Sequence, residues 1–101
     1  MNESEIISKL TKYKTQILEL TEFSKENVRE LKMVQNNIGI LLDEQRDKEN
    51  YGLLSRLFMG AMGNKKLLKS AVVKDDYRIY QSCIDDMLSQ IKETTNILNT
   101  P

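Results

Sequence analysis

Two regularly spaced apolar stripes constrain the fold of this 101-residue chain more than any other feature. Apolar residues of the first half recur at alternating steps of four and three positions: Ile6, Leu10, Tyr13, Ile17, Leu20, Leu31, Val34, Ile38 and Leu41. Residues at this spacing lie along one side of an α-helix, as in a coiled-coil seam. Only Ser24 and Asn27 interrupt the stripe with polar side chains. We therefore predict one long helix over about residues 4–49.

One segment of this predicted helix contains poor helix formers. Asn36, Asn37 and Gly39 lie close together, and a glycine inside a helix costs about 1 kcal/mol relative to alanine. Because the apolar steps continue through Ile38, we expect the helix to continue as well. A break near residues 36–39, which would give a bundle of more and shorter helices, stays open.

The second stripe predicts a C-terminal helix that ends near residue 99. Its members again step by three and four: Tyr77, Tyr80, Ile84, Met87, Ile91, Thr94 and Leu98. Its start is expected either at about residue 65, capped by Asn64, or at about residue 75, where Asp75 and Asp76 suit a helix N-terminus. Two such stripes must be buried against each other or against a partner. We predict an all-α fold, an antiparallel helical hairpin or small helical bundle with coiled-coil character, forming a single domain over residues 1–101.

The segment between the two stripes is both apolar and basic. Residues 50–74 contain five basic residues and no acidic one, whereas residues 1–49 have 8 basic and 10 acidic residues and residues 75–101 have 2 and 5. The corresponding net charges of −2, +5 and −3 add up to a neutral chain that is strongly polarised. We predict a connector with a short helix here, in which Gly60 or Gly63 supplies a turn.

This connector carries the residues that we expect to contact a partner or a membrane: Leu53, Arg56, Leu57, Phe58, Met59, Met62, Lys65, Lys66 and Lys69. Three interpretations stay open. The apolar residues could pack over the long helices as core, or form an adaptable protein-binding patch with methionines. Alternatively, residues 53–69 could contact an anionic membrane. The neutral total charge and the single aromatic residue among these cations argue against nucleic acid.

The sequence offers no group of residues suited to catalysis. The chain has no histidine, and it contains no phosphate-binding, dinucleotide-binding or calcium-binding loop pattern. The adjacent carboxylates Asp85 and Asp86 would point about 100° apart on a helix. Cys83, the only cysteine, lies beside the stripe residue Ile84, where we expect it to pack. We predict no enzyme activity, no cofactor and no metal site.

The N-terminal segment, the longest apolar run and the predicted helix lengths bear on cellular location and assembly. The N-terminus is acidic, and no apolar run approaches the roughly 20 residues that a membrane-spanning helix needs. We expect a cytoplasmic protein and leave export without a leader open. Helices over residues 5–49 and 65–98 would differ in length by roughly 17 Å. We therefore expect some seam to be covered by a second copy or by another protein.

The layout of two helices around a central turn resembles the small hairpin proteins of type VII secretion and their helical partners. Asn50-Tyr51-Gly52 stands where that family has a Trp-x-Gly turn, and the chain has no tryptophan. Tyr80 is followed four positions later by Ile84, where the family's export signal has an acidic residue. The resemblance is one of layout, and it implies a secreted helical hairpin or partner protein as an alternative function.

These observations predict a non-enzymatic protein–protein interaction module, such as a small adaptor, regulator or inhibitor. It would act through its coiled-coil seams and the apolar basic connector. The alternatives are a peripheral membrane protein that uses residues 53–69 and the type VII secretion-like role.

Overall fold

The protein is a bundle of four α-helices, as seen in a computed structural model that describes residues 3–45 and 51–99. The helices are α1 (Glu3–Leu18), α2 (Lys25–Asp43), α3 (Tyr51–Lys74) and α4 (Tyr77–Asn99). At 1.5 Å per residue they are roughly 24 to 36 Å long, which fits a molecule measuring 41 × 21 × 18 Å. The prediction of an all-α small bundle is confirmed.

Neighbouring helices in the bundle run antiparallel. Each helix packs on the next one, and α4 closes the ring by packing on α1. The hydroxyl of Tyr80, at the start of α4, donates to the carbonyl oxygen of Leu20, just after α1, at 2.5 Å. Val28, near the start of α2, lines the same surface pocket as Val72, near the end of α3. The topology is therefore up-down-up-down.

The two predicted stripes face each other inside this ring. The buried members of the first are Ile6, Leu10, Ile17, Leu20, Leu31, Val34, Ile38 and Leu41, and those of the second are Tyr80, Ile84, Met87, Ile91, Thr94 and Leu98. Helix α3 adds Ala61, Leu68 and Ala71. Because the seams are buried in the chain's own core, they offer little surface to a partner.

The prediction of one long helix over residues 4–49 is wrong. The chain leaves helical geometry after Leu18 and re-enters it at Lys25. Ser24 caps α2, since its side-chain oxygen accepts from the backbone N–H of Asn27 at 3.1 Å. The Asn27 side chain in turn donates to the carbonyl oxygen of Glu22 at 2.8 Å. The two polar residues that interrupt the first stripe thus stabilise a turn.

This turn removes two arguments made from the sequence. A two-helix layout was the basis of the resemblance to the type VII secretion hairpins, and the described residues form four helices. The predicted pairing of one long helix with one shorter helix, which favoured self-association, also no longer applies, because the first segment folds back as two shorter helices. Assembly into an oligomer stays a prediction without that support.

The middle of the chain also differs from the prediction of a connector with a short helix. Residues 51–74 form a 24-residue helix, Gly60 and Gly63 lie within it, and Asn64 is buried there instead of capping a helix. Helix α4 begins at Tyr77, close to the later of its two predicted starts, which was about residue 75. Asp75 has a left-handed φ of 51°, and the side chain of Asp76 accepts from the backbone N–H of Arg78 at 2.9 Å.

We predict that Gly63→Ala raises the free energy of unfolding by about 1 kcal/mol, because Gly63 is helical and a Cβ built there meets no atom within 4 Å. Gly60→Ala serves as the contrast, since its Cβ would overlap the side-chain amide of Gln90 on α4. We expect no gain from Gly60→Ala, and urea unfolding of the two variants measures the difference. Equal gains would show that the Gln90 side chain moves aside at little cost and does not hold Gly60 in place.

Candidate functional site

A concave surface runs between α2 and α3, and we call it the α2/α3 groove. It consists of three pockets in a row. The Val28 end, of about 440 Å³, is lined by Phe23, Lys25, Val28, Arg29, Val72 and Asp75. The lysine section, of about 360 Å³, is lined by Lys32, Gln35, Asn36, Lys65, Leu68 and Lys69. The Ile40 end, of about 520 Å³, is lined by Asn36, Gly39, Ile40, Asp43, Glu44, Met62 and Lys65.

Helical periodicity explains why these residues share one groove. On α2 the lining residues recur every three or four positions from Lys25 to Asp43, beside the buried stripe of the same helix. On α3 they recur in the same way from Met62 to Val72. Gly39 widens the Ile40 end, because it contributes no side chain and no atom lies within 4 Å of a Cβ built there.

Charge varies along the groove. In the lysine section, Lys32 faces Lys65 and Lys69 from the opposite wall, and none of the described lining residues is acidic. The floor there is formed by Gln35 and Leu68, each only 1% exposed. The two ends contain both signs of charge. The strongest positive potential is therefore expected at the centre.

Large apolar side chains are exposed at both ends of the groove. Ile40 is 58% exposed and Met62 45% exposed at one end, and Val72 is 45% exposed at the other. Scattered exposed apolar residues are normal, but apolar residues gathered in a groove are typical of binding surfaces. The groove therefore combines exposed apolar side chains at its two ends with a positively charged centre.

The structure brings together three of the nine connector residues expected to form a binding surface. Met62, Lys65 and Lys69 line the groove. Met59, which is 69% exposed, and Lys66 lie exposed on α3 but do not line any of the three pockets. The side chains of the other four lie outside those that the structure describes: Leu53, Arg56, Leu57 and Phe58.

The wall that α2 contributes to the groove was not predicted from the sequence. Lys25, Arg29 and Lys32 follow each other at steps of four and three, a spacing that puts three cations on one side of a helix. Ile40 lies next to the buried Leu41 but off the stripe, and it is exposed. Both signals were readable in the sequence, although only the fold shows that they face α3.

A second, interior cluster of polar and sulfur-containing side chains lies near Cys83. The side-chain amide of buried Gln35 lies 3.6 Å from the sulfur atoms of both Cys83 and Met87, and the Cys83 thiol donates to the carbonyl oxygen of Asn64 at 3.4 Å. Burial, with a smaller effect of Asp86, raises the pKa of Cys83 to about 12. A reactive thiol needs the opposite shift, so this cluster has the character of core packing.

The same cluster has little room for a ligand. A cavity of about 10 Å³ adjoins Asn64, Met87 and Gln90, which is at most the space of one water molecule. In the described part of the chain, no three His, Cys, Asp or Glu side chains group as metal ligands would. None of the described helices combines the length and apolar character needed to cross a bilayer.

Comparison with known proteins adds no relative: no protein-family model, curated protein or solved structure matches the chain.

Proposed function

We propose that this protein is a small, non-enzymatic binding module, such as an adaptor, regulator or inhibitor, that recognises another protein through the α2/α3 groove. The observation that carries the proposal is the exposure of Ile40, Met62 and Val72 in one groove on one side of the bundle. Burying such side chains against a partner releases about 25 cal/mol per Å² of apolar surface. The coiled-coil seams, which face inward, have no part in this proposal.

Site-specific photocrosslinking in cells that naturally make the protein tests this function. A benzoylphenylalanine replaces Ile40 or Met62 in the groove, and in control variants it replaces Lys12 on α1 or Asp86 on α4, which are both exposed. We expect discrete heavier adducts from the two groove positions and none from the controls, because only a seated partner lies within reach of the groove.

Two results would contradict the proposal. Adducts of equal yield from all four positions would indicate random collisions, and their absence from every position would leave the groove without a protein partner. A groove adduct with twice the mass of the chain would instead assign this surface to self-association.

A peripheral membrane protein is the second candidate function. Met59, Met62 and Lys66 lie on α3 at steps of three and four, and all three are exposed. Apolar and basic side chains on one side of a helix are typical of contact with anionic lipid. The groove favours a protein partner, because a bilayer presents a broad surface that does not reach the floor of a cleft between two helices.

A further inference from the structure

We propose that the partner segment held in the α2/α3 groove is an acidic amphipathic helix, a proposal that rests on the proposed function. The juxtaposition that points to it is a centre with Lys32, Lys65 and Lys69 between two apolar ends. Each property of the expected helix follows from one property of the groove.

The shape of the groove fits a third helix. Two antiparallel helices, α2 and α3, form its walls, and the cleft between two packed helices is a common seat for another helix. Ile40 lies 12 positions after Val28 on α2, so the two ends are separated by roughly 18 Å along the helix axis. A partner helix of three to four turns covers this distance.

The apolar ends determine where the partner carries its anchors. Two positions about eleven residues apart on a helix differ by only about 20° around its axis. One large apolar side chain can therefore meet Val72 at one end while another meets Ile40 and Met62 at the other. Between them, the partner passes over Leu68, where smaller apolar residues fit.

The lysine section determines the charge of the partner. Lys32 and Lys65 lie on opposite walls and Lys69 lies one turn further along α3, so carboxylates on both flanks of a bound helix meet ammonium groups. The described lining residues of this section include no acidic side chain, and the acidic residues Asp43 and Glu44 share only the Ile40 end with Lys65. Opposite charge in a groove accelerates association and selects among partners, and salt weakens the effect.

A second copy of this chain does not supply such a helix from its described residues. The exposed side of α4 carries Asp85 and Asp86, but the only large apolar side chain exposed on α4 is Tyr77, at its first turn. On α1 the only one is Leu18, at its last turn. Neither helix combines two exposed apolar anchors eleven residues apart with acidic flanks.

On α3, Met62 and Val73 are exposed and eleven positions apart, but this helix contains no acidic residue. On α2, the exposed Met33 and Ile40 are only seven positions apart. The described helices of a second copy therefore do not fit the groove, and the occupant is a segment of a different protein.

Three synthetic helical peptides of roughly 18 residues test the inference against the full-length protein. All three carry leucines about eleven positions apart and alanines between them, and their flanking positions hold Glu, Gln or Lys. We expect the Glu peptide to bind about tenfold more tightly than the Gln peptide by fluorescence anisotropy. The Lys peptide is expected to bind weakest, and the preference should shrink at high salt.

Charge reversal in the protein tests whether the preference for the Glu peptide arises from the lysines of the groove. The variant Lys32→Glu/Lys65→Glu/Lys69→Glu is expected to lose the preference for the Glu peptide and to favour the Lys peptide. The matched control, Lys9→Glu/Lys12→Glu/Lys14→Glu, changes three exposed lysines of α1 and alters the net charge equally, so it should keep the preference. If charge reversal impairs folding, the triple Gln variant at the groove positions should still remove the preference.

Several outcomes would overturn the inference. Equal affinity for the Glu and Gln peptides, no binding of any peptide, or equal effects of the groove and control variants would each do so. Salt-sensitive binding to vesicles of phosphatidylcholine and phosphatidylserine that only the groove variant loses would assign the lysines to a membrane. If Ile40 and Met62 still give specific photoadducts in such a case, the proposed function stands and only the acidic-helix inference fails.

Discussion

The double substitution Ile17→Asp/Leu31→Asp is expected to unfold the protein at 25 °C. Both side chains are 0% exposed, and they lie on two neighbouring helices of the ring. A carboxylate without a partner at such a position costs at least about 4 kcal/mol. Two of them cost at least about 8 kcal/mol, which is comparable with the 5 to 15 kcal/mol that stabilises a typical domain. Circular dichroism should show loss of helix and no cooperative thermal transition.

The structure supplies a matched control for this experiment. Leu18 follows Ile17 directly and is 53% exposed, and Met33 lies two positions after Leu31 and is 54% exposed. Leu18→Asp/Met33→Asp introduces the same two charges into the same two helices but leaves them in water. We expect its helicity to match that of the wild type. A folded core variant, or two variants that unfold alike, would contradict the described packing.

The apolar spacing predicted most of the buried residues of α1, α2 and α4, although Tyr77 of the second stripe is 55% exposed. It did not reveal the turn before α2. An apolar stripe indicates which side of a helix faces the core. The spacing of its residues can continue unchanged even where a turn separates two helices. Ser24 and Asn27 held the missing signal, since a polar residue on a stripe can cap a new helix as readily as interrupt an old one. By contrast, Gly39 stays helical because Ile38 and Leu41 beside it are buried, and packing overrides low propensity.

The candidate groove was predictable only in part, for a related reason. Net charge and composition identified Met62, Lys65 and Lys69, which belong to a continuous basic segment of the sequence. Lys32 lies more than thirty positions earlier, in a helix whose overall charge is mixed. Only the antiparallel packing of α2 on α3 brings it to the same section of the groove. A pattern within one helix cannot report which other helix lies opposite.

Alkaline pH is expected to destabilise the fold through two buried groups on α4. Burial, with a smaller effect of Asp86, raises the pKa of Cys83 from 9.0 to about 12. Burial and the nearby Cys83 raise the pKa of Tyr80 from 10.0 to about 12. Each group therefore loses its proton at lower pH in the unfolded chain than in the folded one. The stabilisation is complete below pH 9 and is lost progressively as the pH rises toward about 12.

Urea unfolding between pH 7 and 11 under reducing conditions measures this loss. A tenfold difference in acidity corresponds to about 1.4 kcal/mol, so the two groups together should remove on the order of 4 kcal/mol. Cys83→Ala should flatten the dependence of the unfolding free energy on pH between pH 9 and 10, where the thiol alone contributes. The variant should also be somewhat less stable at every pH, because alanine leaves a small cavity. A wild-type profile that stays flat to pH 11 would show that neither group is buried in solution.

Tyr80→Phe separates the second group from the first, and it also tests the contact that closes α4 onto α1. The ring stacks on Phe23 at a centroid distance of 4.9 Å, and phenylalanine keeps that packing. The substitution removes the hydrogen bond to the Leu20 carbonyl oxygen, which should lower stability by about 1 to 3 kcal/mol at neutral pH. Above pH 10 the variant should lose less stability than the wild type, because one ionising group is gone. A variant that is less stable at pH 7 but whose profile still falls in parallel with the wild type would assign the alkaline loss to Cys83 alone.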